Sequence, residues 1–150
     1  MEIQIKTFDQ LSKEELYAVL KLRVDVFVVE QQCPYADLDG KDLHALHVML
    51  KDEDGIEAYL RILDRGVVSE HVAIGRVIAV KRRCGLASKL LICAIDAART
   101  YFQADKIYLE AQTYARGLYE KQGFRQITEE FLEDGIPHIG MLLELENEIP

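Results

Sequence analysis

The residues best suited to chemistry gather in two short stretches. Lys81, Arg82 and Arg83 stand just ahead of Cys84-Gly85-Leu86-Ala87-Ser88. There a β-branched strand over Val72–Val80 gives way to an amphipathic helix at about Gly85–Phe102. Free backbone N–H groups at a helix start, backed by the helix dipole, bind phosphate oxygens. Gly85 lets the backbone turn close to a ligand, and Ala87 is small where a larger side chain would block it. The three cations are a local feature, because the 150-residue chain carries 18 basic against 26 acidic residues, a net charge of −8. The stretch fits R-x-x-G-x-[G/A]; it is neither a Walker loop nor G-x-G-x-x-G. Its chemistry is that of holding a phosphorylated cofactor. The second stretch is Leu118-Tyr119-Glu120-Lys121-Gln122-Gly123-Phe124, with the spacing Y-x-x-x-G-F.

Other reactive residues support weaker readings. Asp37, Asp39, Asp42, His44 and His47 suggest a metal site, but D-L-D-G-K-D places glycine too early for a calcium loop and lacks the later glutamate. In a strand, a spacing of three puts His44 and His47 on opposite faces. An acidic, hydrogen-bonded turn is the expectation, and no metal. Cys84 beside two arginines has the setting of a low-pKa thiol, yet no histidine adjoins it in sequence. Glu129-Glu130 and Glu133-Asp134 read as solvated surface that would also attract a cationic amine.

The elements that position these residues follow from periodicity. Ile3 and Ile5 alternate with polar neighbours, predicting a short strand. Ser12 and Glu15 form a capping box, after which Leu16, Val19, Leu20, Val24 and Phe27 fall on one helical face. That helix ends before Pro34. Leu46, Val48 and Leu50 form one strand, and Ile56, Ala58, Leu60 and Ile62 the next, with Asp54-Gly55 as the hairpin turn. Strands follow at Val72–Val80 and Ile107–Gln112, then a short helix at Ala115–Gln122 capped by Gly123. Phe124–Thr128 and His138–Leu145 complete the order: strand, helix, three strands, helix, strand, helix, two strands. The unit around residues 72–112 is expected to be a right-handed parallel crossover.

The length suits one domain, residues 1–150, large enough to bury a core without staples. Three scattered cysteines make no disulfide framework or zinc pair. The acidic balance argues against nucleic acid, and no apolar run approaches a membrane span. The N-terminus lacks a secretory pattern, so the cytoplasm is the expected location. Unpaired edge strands leave room for a homodimer.

With the phosphate loop and the Y-x-x-x-G-F stretch in this order, separated by a helix and a strand, the chain resembles the GNAT superfamily of acyl-CoA N-acyltransferases. Four further blocks resemble its ElaA-like branch: Leu22–Gln31, Cys33–Gly40, Ile74–Val77 and Asp134–Met141. The resemblance implies an α/β (α+β) fold, a mixed, mostly antiparallel twisted sheet with a central parallel β-α-β unit and helices on both faces. It implies acetyl-CoA as co-substrate and acetyl transfer by direct attack of a primary amine, from a small molecule or a peptide. Ile78, Ala79 and Val80 would offer strand-edge amides and carbonyls to the pantetheine arm. Arg82, Arg83, Cys84, Gly85, Leu86, Ala87 and Ser88 would hold the pyrophosphate, and Gln112 would take the place of an asparagine that bonds the pantetheine. Tyr119 would stand near the sulfur and protonate the leaving thiolate.

The chain departs from the family pattern in three respects. The loop after Val80 is about two residues shorter than usual for the family, Arg83 replaces a common glycine, and Arg76 lies on a strand with no acid between Val72 and Val80. The base must then come from elsewhere or be water. Glu30, just past the first helix, and His138, after Pro137, are the candidates, with Glu110 a further one. The alternative function is a non-catalytic acyl-CoA-binding sensor of the same fold.

Overall fold

The computed structural model describes residues 1–80 and 85–145. Its strands are β1 (Glu2–Thr7), β2 (Leu46–Asp52), β3 (Gly55–Leu63), β4 (Val72–Ala79), β5 (Lys106–Gln112), β6 (Arg125–Gln126), β7 (Phe131–Glu133) and β8 (Ile136–Glu144). They form one sheet in the order β1-β2-β3-β4-β5-β8-β6, with β7 also paired to β8. Every pairing is antiparallel except β4 with β5. The helices are α1 (Lys13–Arg23), α2 (Leu86–Phe102) and α3 (Arg116–Glu120). None of the helices among the described residues is long and apolar enough to cross a membrane.

Helix α1 starts where the capping box requires. Glu15 N–H donates to Ser12 Oγ at 3.0 Å, and Ser12 N–H donates to Glu15 Oε1 at 2.9 Å. Burial works against ionisation of Glu15, but the Ser12 N–H and the ammoniums of Lys6 and Lys51 overcome it and lower the carboxyl to about 2. Glu15 thereby ties α1 to β1 and β2. Past Arg23 the helix widens into a π-helical turn, Val24–Glu30, whose run of β-branched residues crowds an α-helical wall. The chain leaves it at Gln32, which has a φ of 49°.

Helix α2 covers one face of the sheet. Its buried Leu86, Leu90, Leu91, Ala94, Ala97 and Ala98 pack on Leu46, Val48 and Leu50 of β2 and Ala58, Leu60 and Ile62 of β3. The alanines let the helix approach the sheet closely, and each buried leucine contributes roughly 1.5–3 kcal/mol. Arg65 donates to the carbonyls of Phe102 and Gln103 at 2.7 and 2.8 Å, satisfying the C-terminal end of α2. Helix α1 lies on the opposite face, where Val19 meets Met49 and Tyr59.

Two boundaries differ from the sequence-based expectation. The sequence pattern predicts connecting chain where β7 lies. In the fold, Asp134 and Gly135 both have positive φ, 52° and 78°, and make a two-residue turn that pairs Glu133 with Ile136. The strand expected over Phe124–Thr128 shrinks to two residues. Gly140 N–H, a ladder donor, goes instead to Thr128 Oγ1 at 2.8 Å, which ends β6.

The acidic, hydrogen-bonded turn expected over 33–43 is part of a buried ion network. Arg23, with 0% of its surface exposed, donates to Asp37 Oδ2 at 3.0 Å, to Asp37 O at 3.0 Å and to Asp42 Oδ1 at 2.7 Å. Arg61 reaches the same Asp42 oxygen at 2.9 Å and spans both Asp39 oxygens at 2.9 and 2.7 Å. Beneath it, the buried His47 is hydrogen-bonded on both sides. Asp42 O can only accept, so Nε2–H donates to it at 3.0 Å, and Nδ1 accepts from Tyr59 Oη–H at 2.7 Å.

This network predicts acid sensitivity. Burial lowers the His47 pKa below 6.5, so the unfolded chain gains a proton there first and stability falls as pH drops below 6.5. Burial also opposes charge on Asp39 and Asp42. Their hydrogen bonds and ion pairs with Arg61 and Arg23 overcome it and hold both below their usual 3.8. Their contribution is present above that value and is lost as pH falls through the folded pKa values. Urea midpoints should fall gently from pH 6.5 to 5 and steeply below pH 4. A flat profile down to pH 4 would contradict the His47 assignment.

Candidate active site

Strands β4 and β5 run parallel but pair only at Val72 with Ile107 and Ala73 with Tyr108. Beyond these pairs they part. The cause lies on the other edge of β4, where Tyr59 pairs with Ile78 and Arg61 with Gly75. Two steps along β3 thus match three along β4, an added residue that bends the strand. Arg76 sits in this bulge with a φ of 56°, a conformation disfavoured for any residue with a Cβ, costing of order 1–3 kcal/mol. The ion network holds it there. Arg76 Nη2 donates to Asp37 O at 3.2 Å, and its Nε lies 2.8 Å from Asp37 Oδ1 without hydrogen-bond alignment, acting through charge. The guanidinium also lies over the Tyr35 ring, 5.5 Å from its centre.

The parting of the strands opens a cavity of about 730 Å³ that runs from the π-helical turn and the 33–43 stretch to α3 and the β7–β8 hairpin. Of the residues singled out by sequence, Glu30, Asp39, Ile78, Ala79, Val80, Ala87, Glu110, Gln112, Tyr119 and His138 are among those that line it. Arg82, Arg83 and Cys84, like Lys81, lie outside the described residues. Leu86 turns its side chain into the core, leaving its N–H as its available group. Gly85 caps α2 with a φ of 70°. Lys89 N–H is bonded to Gly85 O at 3.1 Å, so the N–H groups of Leu86, Ala87 and Ser88 precede the first intrahelical bond.

On β4, Val80 N–H donates to Glu57 O at 2.8 Å, toward β3. Strand alternation then turns the N–H and C=O of Ala79 to the opposite side, toward the gap left by β5. On β5, Leu109 and Ala111 face the core under α2, so Tyr108, Glu110 and Gln112 face the cavity side. Gln112 Nε2 donates to Gln31 Oε1 at 3.3 Å, linking β5 to the end of the π-helical turn.

Tyr119 is 6% exposed and packs edge-on against Phe124, with ring centres 6.1 Å apart. Burial, and after it the Tyr114 phenol, push its ionisation well above the usual tyrosine value, so it stays a proton-bearing phenol at neutral pH. The chain reverses just behind it. Phe124 N–H returns to Tyr119 O at 3.2 Å around Gly123, whose φ is 98°. His138 stacks on Phe131 at 6.2 Å, and Ile136 O holds its Nδ1 at 2.7 Å. Its Nε2 lies 3.5 Å from Glu133 Oε2.

Sequence reasoning missed two cavity features. Glu133 read as solvated surface because β7 was not recognised. Asp39, which the sequence offered as a metal ligand, and Arg61, which no local pattern marks, reach the cavity through the buried network.

Comparison with known proteins agrees with this geometry. Residues 7–145 match the family described as Acetyltransferase (GNAT) domain. The chain is 41% identical over 140 residues to protein ElaA of Escherichia coli, covering 91% of this chain and 92% of that one. The crystal structure of Escherichia coli ElaA superposes with a TM-score of 0.89 at 39% identity, over 95% of this chain and 99% of that one. An acyl-CoA N-acyltransferase from Pseudomonas aeruginosa superposes at 0.88 with 41% identity, again over 95% and 99%. Both the sequence match and the superposition run through the parted strands as well as the scaffold around them, and the chain belongs to the GNAT acetyltransferase family, in its ElaA-like branch.

Proposed function

We propose that this protein transfers an acetyl group from acetyl-CoA to a primary amine by direct attack. The observation that carries the reading is the early parting of β4 from β5, which leaves polar backbone facing a cavity that also holds a buried phenol. An acyl-CoA fits the residues present. The Ala79 N–H and C=O suit an extended, amide-bearing arm, which would pair with β4 as an added strand. The N–H groups opening the 17-residue α2 suit a pyrophosphate, with the dipole of a long helix behind them. When bound, the thioester supplies the activated acetyl group.

The protein's own groups do the remaining work. The cavity walls exclude bulk water from the reacting atoms. Tyr119, kept protonated by burial, donates its proton to the departing sulfur. Gln112 and Gln31 bridge β5 to the π-helical turn and orient the arm. Glu30, His138 and Glu110, the candidates for the base, line the same cavity. The test is thiol release from acetyl-CoA with an alkyl monoamine, a diamine, an α-amino acid and a lysine-containing peptide. Turnover above the amine-free rate is expected for at least one. CoA binding without turnover on any of them would favour the sensor alternative.

A further inference from the structure

The charges that line the cavity are divided between two sides. On one side stand Arg61 of β3, Arg76 of β4, and Asp39 and Lys41 of the 33–43 stretch. Among the described residues, the salt bridges of this group form a closed set. Arg23 pairs with Asp37 and Asp42, Arg61 with Asp39 and Asp42, Arg76 with Asp37 and Asp39, and Lys41 with Asp39 at 3.8 Å. Four cations share three carboxylates, so one positive charge is left over. Arg23 and Arg61 are buried, whereas the side chains of Lys41 and Arg76 are 37% and 21% exposed, so the surplus is presented by these two. Asp25, also in the lining, is paired with Lys21 at 2.7 Å, and Glu30 is likewise not free. On the other side the balance is reversed, because Glu110, Glu133 and Asp134 outnumber His138.

Arg76 is held so as to present its charge. Its φ of 56° would suit glycine, yet a long cationic side chain occupies the position. The Tyr35 ring lies against the guanidinium, and Nη2 is tethered to Asp37 O at 3.2 Å and Asp39 Oδ2 at 3.5 Å. Its Nη1 makes no hydrogen bond among the described residues. A fixed guanidinium with donors to spare is a receptor for a carboxylate. Resting on the proposed amine acetylation, we infer that the acceptor carries a carboxylate as well as its amine, the carboxylate binding Arg76 and Lys41 and the amine lying toward the acidic side. The acceptor class is an amino-carboxylate, either a free amino acid or the end of a short peptide.

The same division of charge rejects other amines. A diamine would bring its second ammonium to the cationic side, where it is repelled. An uncharged alkylamine would leave the surplus charge without a partner. The whole chain carries a net charge of −8, which disfavours an anion at long range, so recognition depends on this local excess. Charge-assisted hydrogen bonds of this kind are worth about 10- to 100-fold in affinity.

The test compares matched acceptors on the full chain with acetyl-CoA: β-alanine, γ-aminobutyrate and ε-aminocaproate, each against its amide, and triglycine against triglycinamide. For at least one pair the acid should be favoured by ~10-fold or more in kcat/KM. Arg76→Met should bring that preference close to parity, Arg76→Lys should keep part of it, and Lys41→Met should lower it. Damage to the fold or to CoA binding slows both members of a pair alike, so the ratio reads recognition and not stability. A preference among the free amino acids identifies them as the source, and one confined to triglycine identifies a peptide end. Parity in every wild-type pair, or an unchanged preference in Arg76→Met, would overturn this inference while turnover of the amides left amine acetylation standing. Absence of turnover by the wild-type protein on every amine, the amino acids included, would overturn both.

Discussion

Replacing Tyr119 with phenylalanine should lower kcat by roughly 10²–10³-fold and leave CoA affinity nearly unchanged. The substitution removes one hydroxyl from a ring that is otherwise held by apolar packing against Phe124. The fold should therefore keep its stability, and the lost rate reports the proton that sulfur no longer receives. The measurement is steady-state kinetics beside calorimetric titration with CoA. The ratio of effects decides the role. A phenol that only filled space would leave kcat intact, and one that only bound the cofactor would weaken CoA affinity. A low-pKa leaving group lessens the need for a proton donor, so acetyl esters of more acidic thiols should recover part of the lost rate in Tyr119→Phe.

Replacing Asp42 with alanine should cost about 3–5 kcal/mol, the scale for removing one partner of a buried ion pair. Asp42 Oδ1 accepts from Arg23 at 2.7 Å and from Arg61 at 2.9 Å, so one deletion leaves two guanidiniums under-compensated. A domain of this size has about 5–15 kcal/mol in total, so the variant should be partly unfolded at modest urea concentration. The measurement is the urea midpoint, with the slope unchanged. Loss of Asp42 should also loosen Arg61, which shares Asp39 with Arg76, and through it the bulge that parts β4 from β5. Residual CoA affinity below the unfolding midpoint should therefore drop as well. A surface ion pair of the same length would contribute under about 1 kcal/mol, and a cost that small would show the network to be solvated.

The two expectations differ in how far they were legible. Tyr119 stands in a short, spaced motif whose glycine closes a helix, and local rules place it. The Asp42 network was invisible for a physical reason. His47, Glu57 and Arg61 alternate with apolar residues along β2 and β3, and alternation normally puts the polar set in water. Here α1, the π-helical turn and the 33–43 stretch cover that face, and Arg61 is buried against Asp39 and Asp42, which it shares with the network around Arg23. Burial of both faces is a property of what packs above the sheet, which no window of sequence contains.

The same division runs through the site. Capping at Ser12, the apolar stripe of α2, the hairpin turn at Asp54-Gly55 and the reversal at Gly123 are decided by neighbours within a few residues. The sequence therefore determined the element order, the start of α2 as a place for anions, and Tyr119 as a residue of interest. Only the tertiary structure decided that β4 and β5 part after two pairs, because the bulge at Arg76 depends on aspartates 37 and 39 residues away in the chain. Only it brought Glu110, Glu133 and His138 together, because their alignment depends on the register of three strands across one hairpin and one long connection. Chemistry that needs one residue and its local turn is written in order along the chain. Chemistry that needs charges from separate elements exists only once the sheet is closed over by its helices.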